Sequence, residues 1–385
     1  MTEQHSPLQS LREGHWFKLI CGASFQHLPA IRNLTLAYTL AGADCIDVAA
    51  DPAVILAAQE AITVARQFTD LRLAWVSPAP RPWLMVSLND GEDPHFRKAE
   101  FLPDRCPVDC ARPCEAICPA EAIDATGVIG DRCYGCGRCL PICPLQHITA
   151  RTYVSTPQAI APLIGAAGID AIEIHTQPGH FEGFRRLWAA ISPHAQRLKV
   201  LAISCPDGED LIPYLQTLAD LIAPLPCPLI WQTDGRPMSG DIGIGTTKAT
   251  VKLGQKVLQA GLPGYVQLAG GTNHHTVAKL RSLNLLRSPQ MPSTNSSRPI
   301  AGVAYGSYAR TLLRPFLEPT IAPTPLLGTQ AVSPAIAPAQ TAICDRPPTI
   351  PRLETAPEQL RAAITLAASL VGQLKAPYFA PPPVP

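Results

Sequence analysis

Eight apolar strand segments, each followed by a helical segment or by a cysteine-rich insert, predict an α/β fold: a (β/α)8 barrel interrupted after its third strand. The strand segments are apolar almost throughout rather than alternating, as a parallel sheet covered by helices requires. Eight strand–helix units also fit the roughly 250 residues that such a barrel needs. An open doubly wound sheet, or two smaller α/β domains flanking the insert, is the competing arrangement.

Residues 1–14 carry no apolar run and read as a lead-in. WFKLICGAS (16–24) is the first strand. HLPAIRNLTLAYTLAG (27–42) is a helix that stops at Gly42, a residue suited to a left-handed C-terminal cap. ADCIDVAA (43–50) is the second strand. Asp51 is placed to cap the next helix, with Pro52 at its first position. RPWLMVSLND (81–90) is the third strand and completes the first part of the α/β domain, residues 1–100.

The rhythm resumes after the insert, in residues 156–320. PQAIAPLIGAAG (157–168) reads as the helix belonging to the third strand. Strands follow at 171–176, 198–204, 227–235, 264–271 and 299–310, with helices at 181–191, 210–222, 247–261, 272–283 and near 308–318. Residues 321–385 form a proline-rich, polyproline-like tail with one amphipathic island, PEQLRAAITLAASLVGQL (357–374). That island either packs back on the domain or docks a partner.

The insert, 101–155, holds eight of the thirteen cysteines. Its second half is C-x2-C-x2-C-x3-C-P, the iron–sulfur run of bacterial ferredoxins, and its first half is a looser C-x3-C-x3-C-x3-C-P. Close spacing lets one turning loop present three thiolates to one cubane, and the last cysteine of each run serves the other cluster. Cys106, Cys110, Cys114 and Cys143 therefore form one ligand set, and Cys118, Cys133, Cys136 and Cys139 the other. Two [4Fe–4S] clusters are expected. The wider spacing of the first half leaves [3Fe–4S] open for the first. Zinc would group its ligands in separated pairs, and disulfides would need an oxidising compartment. The segments AEAI and LQHI, following Pro119 and Pro144, make the insert an internal duplication.

Composition narrows the function classes. A net charge of +1 gives no field for nucleic acid, and 6% aromatic residues offer no stacking platform. No apolar run is long enough to span a bilayer and no signal segment precedes the first strand, so a cytoplasmic, non-integral protein is expected. The other cysteines, Cys21, Cys45, Cys205, Cys227 and Cys344, are scattered. Four sit in or beside apolar runs, where a thiol acts as a small hydrophobe.

A barrel places its chemistry at the C-terminal ends of its strands. Those ends offer Asp47, Asp51, Asp90, His175, Asp207, Asp234, Asn273, His274 and His275. Gly270, Gly271 and Thr272 after the seventh strand, with Gly302 and Gly306 in and after the eighth, stand where barrels often cradle a phosphate. A flavin phosphate, as in FMN, is a secondary expectation there, since turn glycines also arise for conformational reasons. Glu173 and His175 face the same way on a strand, an arrangement more usual for a structural pair. The glycine-rich loop 235–250 reads as a lid or a plain connection. No acid or base stands beside a convincing cofactor cradle.

Taken together, WFKLICGASFQHLPAIRNLTLAYTLAGADCIDVAADPAV, the eight-cysteine run and GIDAIEIHTQPGH resemble the cyanobacterial light-dependent period family of clock-associated iron–sulfur proteins, over roughly 15–320. The resemblance implies two redox-active clusters that report the cell's redox state, and so light, to circadian-clock input proteins. The donor would be the quinone or ferredoxin pool. The alternative is an oxidoreductase whose clusters feed a flavin or small substrate in the barrel mouth.

Overall fold

The computed structural model describes residues 6–71, 81–153, 160–164, 168–236, 240–243, 245–287, 298–317 and 352–379. The proline-rich stretch before residue 352 and half of the expected helix 157–168 lie outside the described residues; Ala161–Leu163, within the described half, form a 3-10 turn.

Eight parallel strands close into a barrel. They are β1 (Trp16–Gly22), β2 (Cys45–Ala49), β3 (Trp83–Asn89), β8 (Ala171–His175), β9 (Val200–Pro206), β10 (Leu229–Asp234), β11 (Tyr265–Ala269) and β12 (Gly302–Tyr305). Four short strands of the insert carry the numbers between: β4 (Arg97–Glu100), β5 (Ile123–Asp124), β6 (Gly127–Val128) and β7 (Thr149–Thr152). β3 pairs with β8 directly, Met85 opposite Ala171, so the insert leaves and re-enters between two neighbouring barrel strands. Pairing of β12 with β1, Gly302 opposite Trp16, closes the ring.

The helices follow from local signals. α1 (Pro7–Glu13) is capped by the Ser6 side chain and α3 (Pro52–Ala65) by Asp51, which accepts from Ala53 N and Val54 N. α2 (Leu28–Ala41) ends at Gly42 with φ 96°. In the insert are α4 (Pro113–Ile117) and α5 (Cys139–Ile142). α6 (Phe181–Ile191), α7 (Leu211–Ile222), α8 (Thr246–Gln259), α9 (Thr276–Ser282) and α10 (Ser307–Leu313) complete the outer ring.

The amphipathic island of the tail is α11 (Pro357–Phe379), five residues longer than its periodicity predicts. It packs on α2 with Leu360, Ala363, Ile364, Ala367, Leu370, Val371 and Leu374 buried, which resolves the choice between packing and docking in favour of packing. Charge fixes both ends. Arg32 forms a two-pronged pair with Glu354 ahead of the helix, and the buried Lys375 reaches Asp44 at 2.6 Å and Ser10 at 2.9 Å.

Inside the barrel, chemistry changes with depth. The N-terminal end is plugged by Leu11, Trp16, Trp83, Met85, Val200 and Ile230. The next layer toward the mouth is polar, with Lys18, Asp47, Ser87, Glu173, Ser204, Gln232 and Gln267 all buried. Inward positions alternate along each strand, so a single Lys, Asp or Glu in an otherwise apolar strand is enough to build that layer. Cys21, Cys45 and Cys205 are buried and Cys227 partly so; Cys344 lies outside the described residues. No described helix is long and apolar enough to cross a membrane.

Candidate metal centre

The insert is stemmed by an antiparallel ribbon in which β4 pairs with β7, Arg97 opposite Thr152 and Glu100 opposite Thr149. The ribbon thus takes in residues 97–100, ahead of the cysteines. The two halves mirror each other: α4 contains Cys114 and runs into Cys118, while α5 begins at Cys139 and runs into Cys143. Ile123 and Ile148, the last residues of AEAI and LQHI, are buried with Cys114 and Cys139 in the insert's own small core.

Four of the cysteines converge. Cys118, Cys133, Cys136 and Cys139 line one apolar cavity of about 430 Å³, walled by Ala99, Ile123, Tyr134 and Leu140. Burial raises the Cys114 thiol pKa, and nearby Cys143 and Cys106 add to the shift. Cys110 lies on the turn that Pro107 closes with it, on the outer side. The first cavity is suited to a cluster by more than its thiols. Ala99 N donates to Cys133 Sγ at 3.4 Å and Ala122 N to Cys118 Sγ at 3.2 Å, the kind of contact that tunes such centres. Gly135 has φ 69°, and a Cβ there would fall 2.2 Å from Arg97 O, so only glycine lets the loop wrap this closely.

This cavity faces the barrel. Tyr134 lies over the barrel mouth with the Arg310 guanidinium 4.3 Å from its ring centre and Phe25 edge-on to it. Arg310 is fixed by donating to Ile20 O and Cys21 O at 3.0 Å each. Arg138, beside Cys136, donates to Gly240 O in the loop after β10. That loop, a lid or a connection on sequence grounds, therefore touches the cluster cavity; parts of it lie outside the described residues.

Under Tyr134 a cleft of about 630 Å³ opens into the barrel. Gly270, Gly271, Thr272 and Gly306 line it, as does Asp234. Gly302 does not: it sits at the N-terminal start of β12, where a Cβ would fall 2.1 Å from Trp16 O, so it is a packing glycine. Of the other strand-end residues, Asp51 is a helix cap and Asp207 an exposed partner of Lys256 at 2.7 Å. Asp90 receives the Thr176 hydroxyl and pairs with His180 at 3.0 Å. Asn273 braces loops by donating to Ile242 O and Gly243 O, and His274 contacts Tyr308 at 3.0 Å. His275 is exposed at the start of α9, and Asp47 lies mid-strand inside the barrel rather than at an end.

The floor of the cleft is a charged network of which reading of the sequence gave only the Glu173–His175 pair. Lys18 pairs with Asp47 at 3.2 Å and with Glu173 more closely still. Glu173 accepts from Gln232 at 2.6 Å and pairs with His175 Nε2 at 2.9 Å. Beyond His175 lie Asp93 and His95, from the 3-10 turn that leads into the insert. Burial acts to discharge Lys18, but Asp47 and Glu173 outweigh it and hold its pKa above the ordinary value. Burial likewise acts to raise both carboxylates. It prevails at Asp47, while Lys18 and His175 together hold Glu173 low. The signal for this network was present as single polar residues at alternate strand positions.

Comparison with known proteins follows the same division. The model of the light dependent period A C-terminal domain matches residues 163–373, and that of the LdpA Fe-S cluster-binding domain matches 106–154. The chain belongs to the light-dependent period A family. The light dependent period A protein of Synechococcus elongatus is 52% identical over 369 residues, covering 96% of this chain and 94% of that protein. Solved structures resemble the chain far less. A tryptophan synthase from M. tuberculosis gives 12% identity and a TM-score of 0.43, over 95% of each chain. A geranylgeranylglyceryl phosphate synthase from Thermoplasma acidophilum gives 13% identity and a TM-score of 0.27, over 79% of this chain and 90% of that one. Family membership makes the insert the iron–sulfur domain of the light-dependent period A family.

Proposed function

We propose that this chain is a redox-active iron–sulfur protein that senses the redox state of the cell, and through it light, and passes that state to circadian-clock input proteins. The convergence of Cys118, Cys133, Cys136 and Cys139 on one apolar cavity against the barrel mouth carries this reading. In it, two [4Fe–4S] clusters are held by the ligand sets Cys106, Cys110, Cys114, Cys143 and Cys118, Cys133, Cys136, Cys139. The quinone or ferredoxin pool is the electron source, and the chain works in the cytoplasm. Leu102, Val108, Ile117, Ile142 and Leu145 are exposed apolar side chains of the insert, which supports the outer face as the place of electron exchange.

A change of charge on the inner cluster is well placed to be felt by the barrel. Cys136 neighbours Arg138, which holds the loop after β10, and Tyr134 touches Arg310, which holds the end of β1. Reduction adds negative charge beside two cationic side chains that grip separate barrel loops. A partner bound at the mouth reads the resulting change.

The test is anaerobic purification with iron and sulfide counts, an optical scan and EPR before and after dithionite. About eight iron and eight sulfide per chain, reducible signals and no flavin are expected. Binding of clock input proteins should then differ between the two redox states. Stoichiometric flavin that bleaches with the clusters would instead make the chain an oxidoreductase, with Gly270, Gly271, Thr272 and Gly306 around its phosphate.

A further inference from the structure

We propose a third metal site, separate from the cysteines: a mononuclear divalent transition-metal ion bound by Asp93, His95 and His175 at the barrel mouth. One ligand atom from each of the three lies within 4.8 Å of the other two. His95 Nδ1 stands 3.0 Å from Asp93 Oδ1, and His175 Nδ1 stands 3.7 Å from Asp93 Oδ2. The two imidazole rings are 5.2 Å apart and tilted by 55°, so they flank a common point without stacking. Two histidines and one carboxylate that leave other positions open are the ligand set of mononuclear iron(II) sites and suit related divalent ions.

The surroundings are those of a built site. His175 is buried, and its Nε2 faces Glu173 Oε1 at 2.9 Å, the carboxylate-behind-histidine arrangement that orients a ligating imidazole. Glu173 is in turn fixed by Lys18 and by Gln232 at 2.6 Å. Buried Phe96 packs edge-on against His175 with ring centres 5.1 Å apart, holding the imidazole from the other side. Asp93 is anchored by accepting from His95 N at 2.7 Å. His95 and His175 both line the cleft, so the open side of the trio faces a space that water or a small ligand can enter.

Charge is compatible with a cation there. Asp47, Glu173, Asp93 and Asp234 bring four carboxylates to the cleft and its floor, where they face the ammonium of Lys18 and the imidazoles of His95 and His175. The cleft's two guanidinium groups are engaged on its other walls: Arg236 pairs with Asp241, and Arg310 holds the end of β1 and the Tyr134 ring. A plain histidine–carboxylate network would explain the contacts but not the convergence of three ligand atoms on an open face. The inference does not depend on what the cysteines hold, since no ligand is shared.

Mn2+ is the probe, because it prefers nitrogen and oxygen ligands to thiolates. The full chain with its clusters, kept anaerobic and oxidised, is titrated with Mn2+ while the free-ion EPR signal is followed. One Mn2+ per chain should be withdrawn from the free signal. Pulsed EPR of the bound ion should show nitrogen from two imidazoles. Asp93→Asn and His95→Ala should each abolish binding with their iron content unchanged, while exposed His274→Ala should bind like the wild type. Absence of Mn2+ binding in the wild type overturns the proposal. So does binding that survives both ligand variants. So does a bound ion without imidazole nitrogen, a readout of the unmutated protein that holds even if a variant fails to fold.

Discussion

The two halves of the cysteine insert share one motif and meet two environments. The half around Cys133, Cys136 and Cys139 is pressed against the barrel: Gly135 meets the Arg97 backbone, Tyr134 meets Arg310, and Arg138 meets Gly240. The half around Cys106 and Cys110 faces outward, with Val108 between them fully exposed. Local sequence explains the difference. The inner loop is tight and glycine-bearing, C-Y-G-C-G-R-C, and can wrap under a neighbouring backbone. The outer loop, C-P-V-D-C-A-R-P-C, has no glycine and takes a wider path. The two loops differ in spacing and in glycine, and only the second is packed against the barrel.

Removing one ligand from each half separates the two environments most. Cys136→Ser and Cys110→Ser should each lose about half of the iron, near four of eight atoms. Only Cys136→Ser should also destabilise the barrel, by about 4 kcal/mol or more, the class of effect that follows loss of a metal from a folded core. Cys110→Ser should leave the barrel within about 1 kcal/mol of the wild type. Equal losses in anaerobic denaturant titrations would mean that the outer cluster supports the barrel as much as the inner one.

A smaller effect sharpens the same point through the backbone. Gly135→Ala places a methyl 2.2 Å from Arg97 O at a positive φ, and about 1–3 kcal/mol of strain is expected, with faster loss of iron from the inner cluster. Val108→Asp touches no packed surface. It should stay within about 0.5 kcal/mol of the wild type while slowing reduction by a protein donor. Stopped-flow reduction beside thermal melts separates the two. A Gly135→Ala variant as stable as the wild type would show that the inner loop is not held against the stem.

Much of this was legible from the sequence, for identifiable reasons. All eight barrel strands lie where uniformly apolar segments place them, because a strand covered on both faces must be apolar on both. The caps at Asp51 and Gly42 were readable because capping is local chemistry. The charged floor of the barrel was not. Lys18 finds Glu173 across 155 residues, and Glu173 finds Gln232 across another 59. One polar residue in an apolar strand carries no sign of which partner the closed ring will bring to it. Asp93 and His95 follow the third strand in a stretch without a helix or strand signal, and only closure of β3 beside β8 sets them against His175. Gly302 misled for the opposite reason: a glycine in a strand can mark a ligand or a close backbone, and here Trp16 occupies the space.

The two halves also differ electrically. Arg138 lies beside Cys136 and is partly exposed, with its guanidinium on Gly240 O. A reduced cluster carries one more negative charge than an oxidised one, so a nearby cation stabilises the reduced form and raises the potential. Arg138→Gln removes the charge and keeps a donor for Gly240. The inner cluster's midpoint should fall by about 20–40 mV, equivalent to the ~0.5–1 kcal/mol that a partly exposed charge supplies. The outer ligand set shares no residue with that contact, and its cluster should not move. An EPR-monitored redox titration resolves the two. A shift that shrinks as salt is added would mark the effect as coulombic, and a shift shared equally by both clusters would mean that the two halves are not electrically distinct.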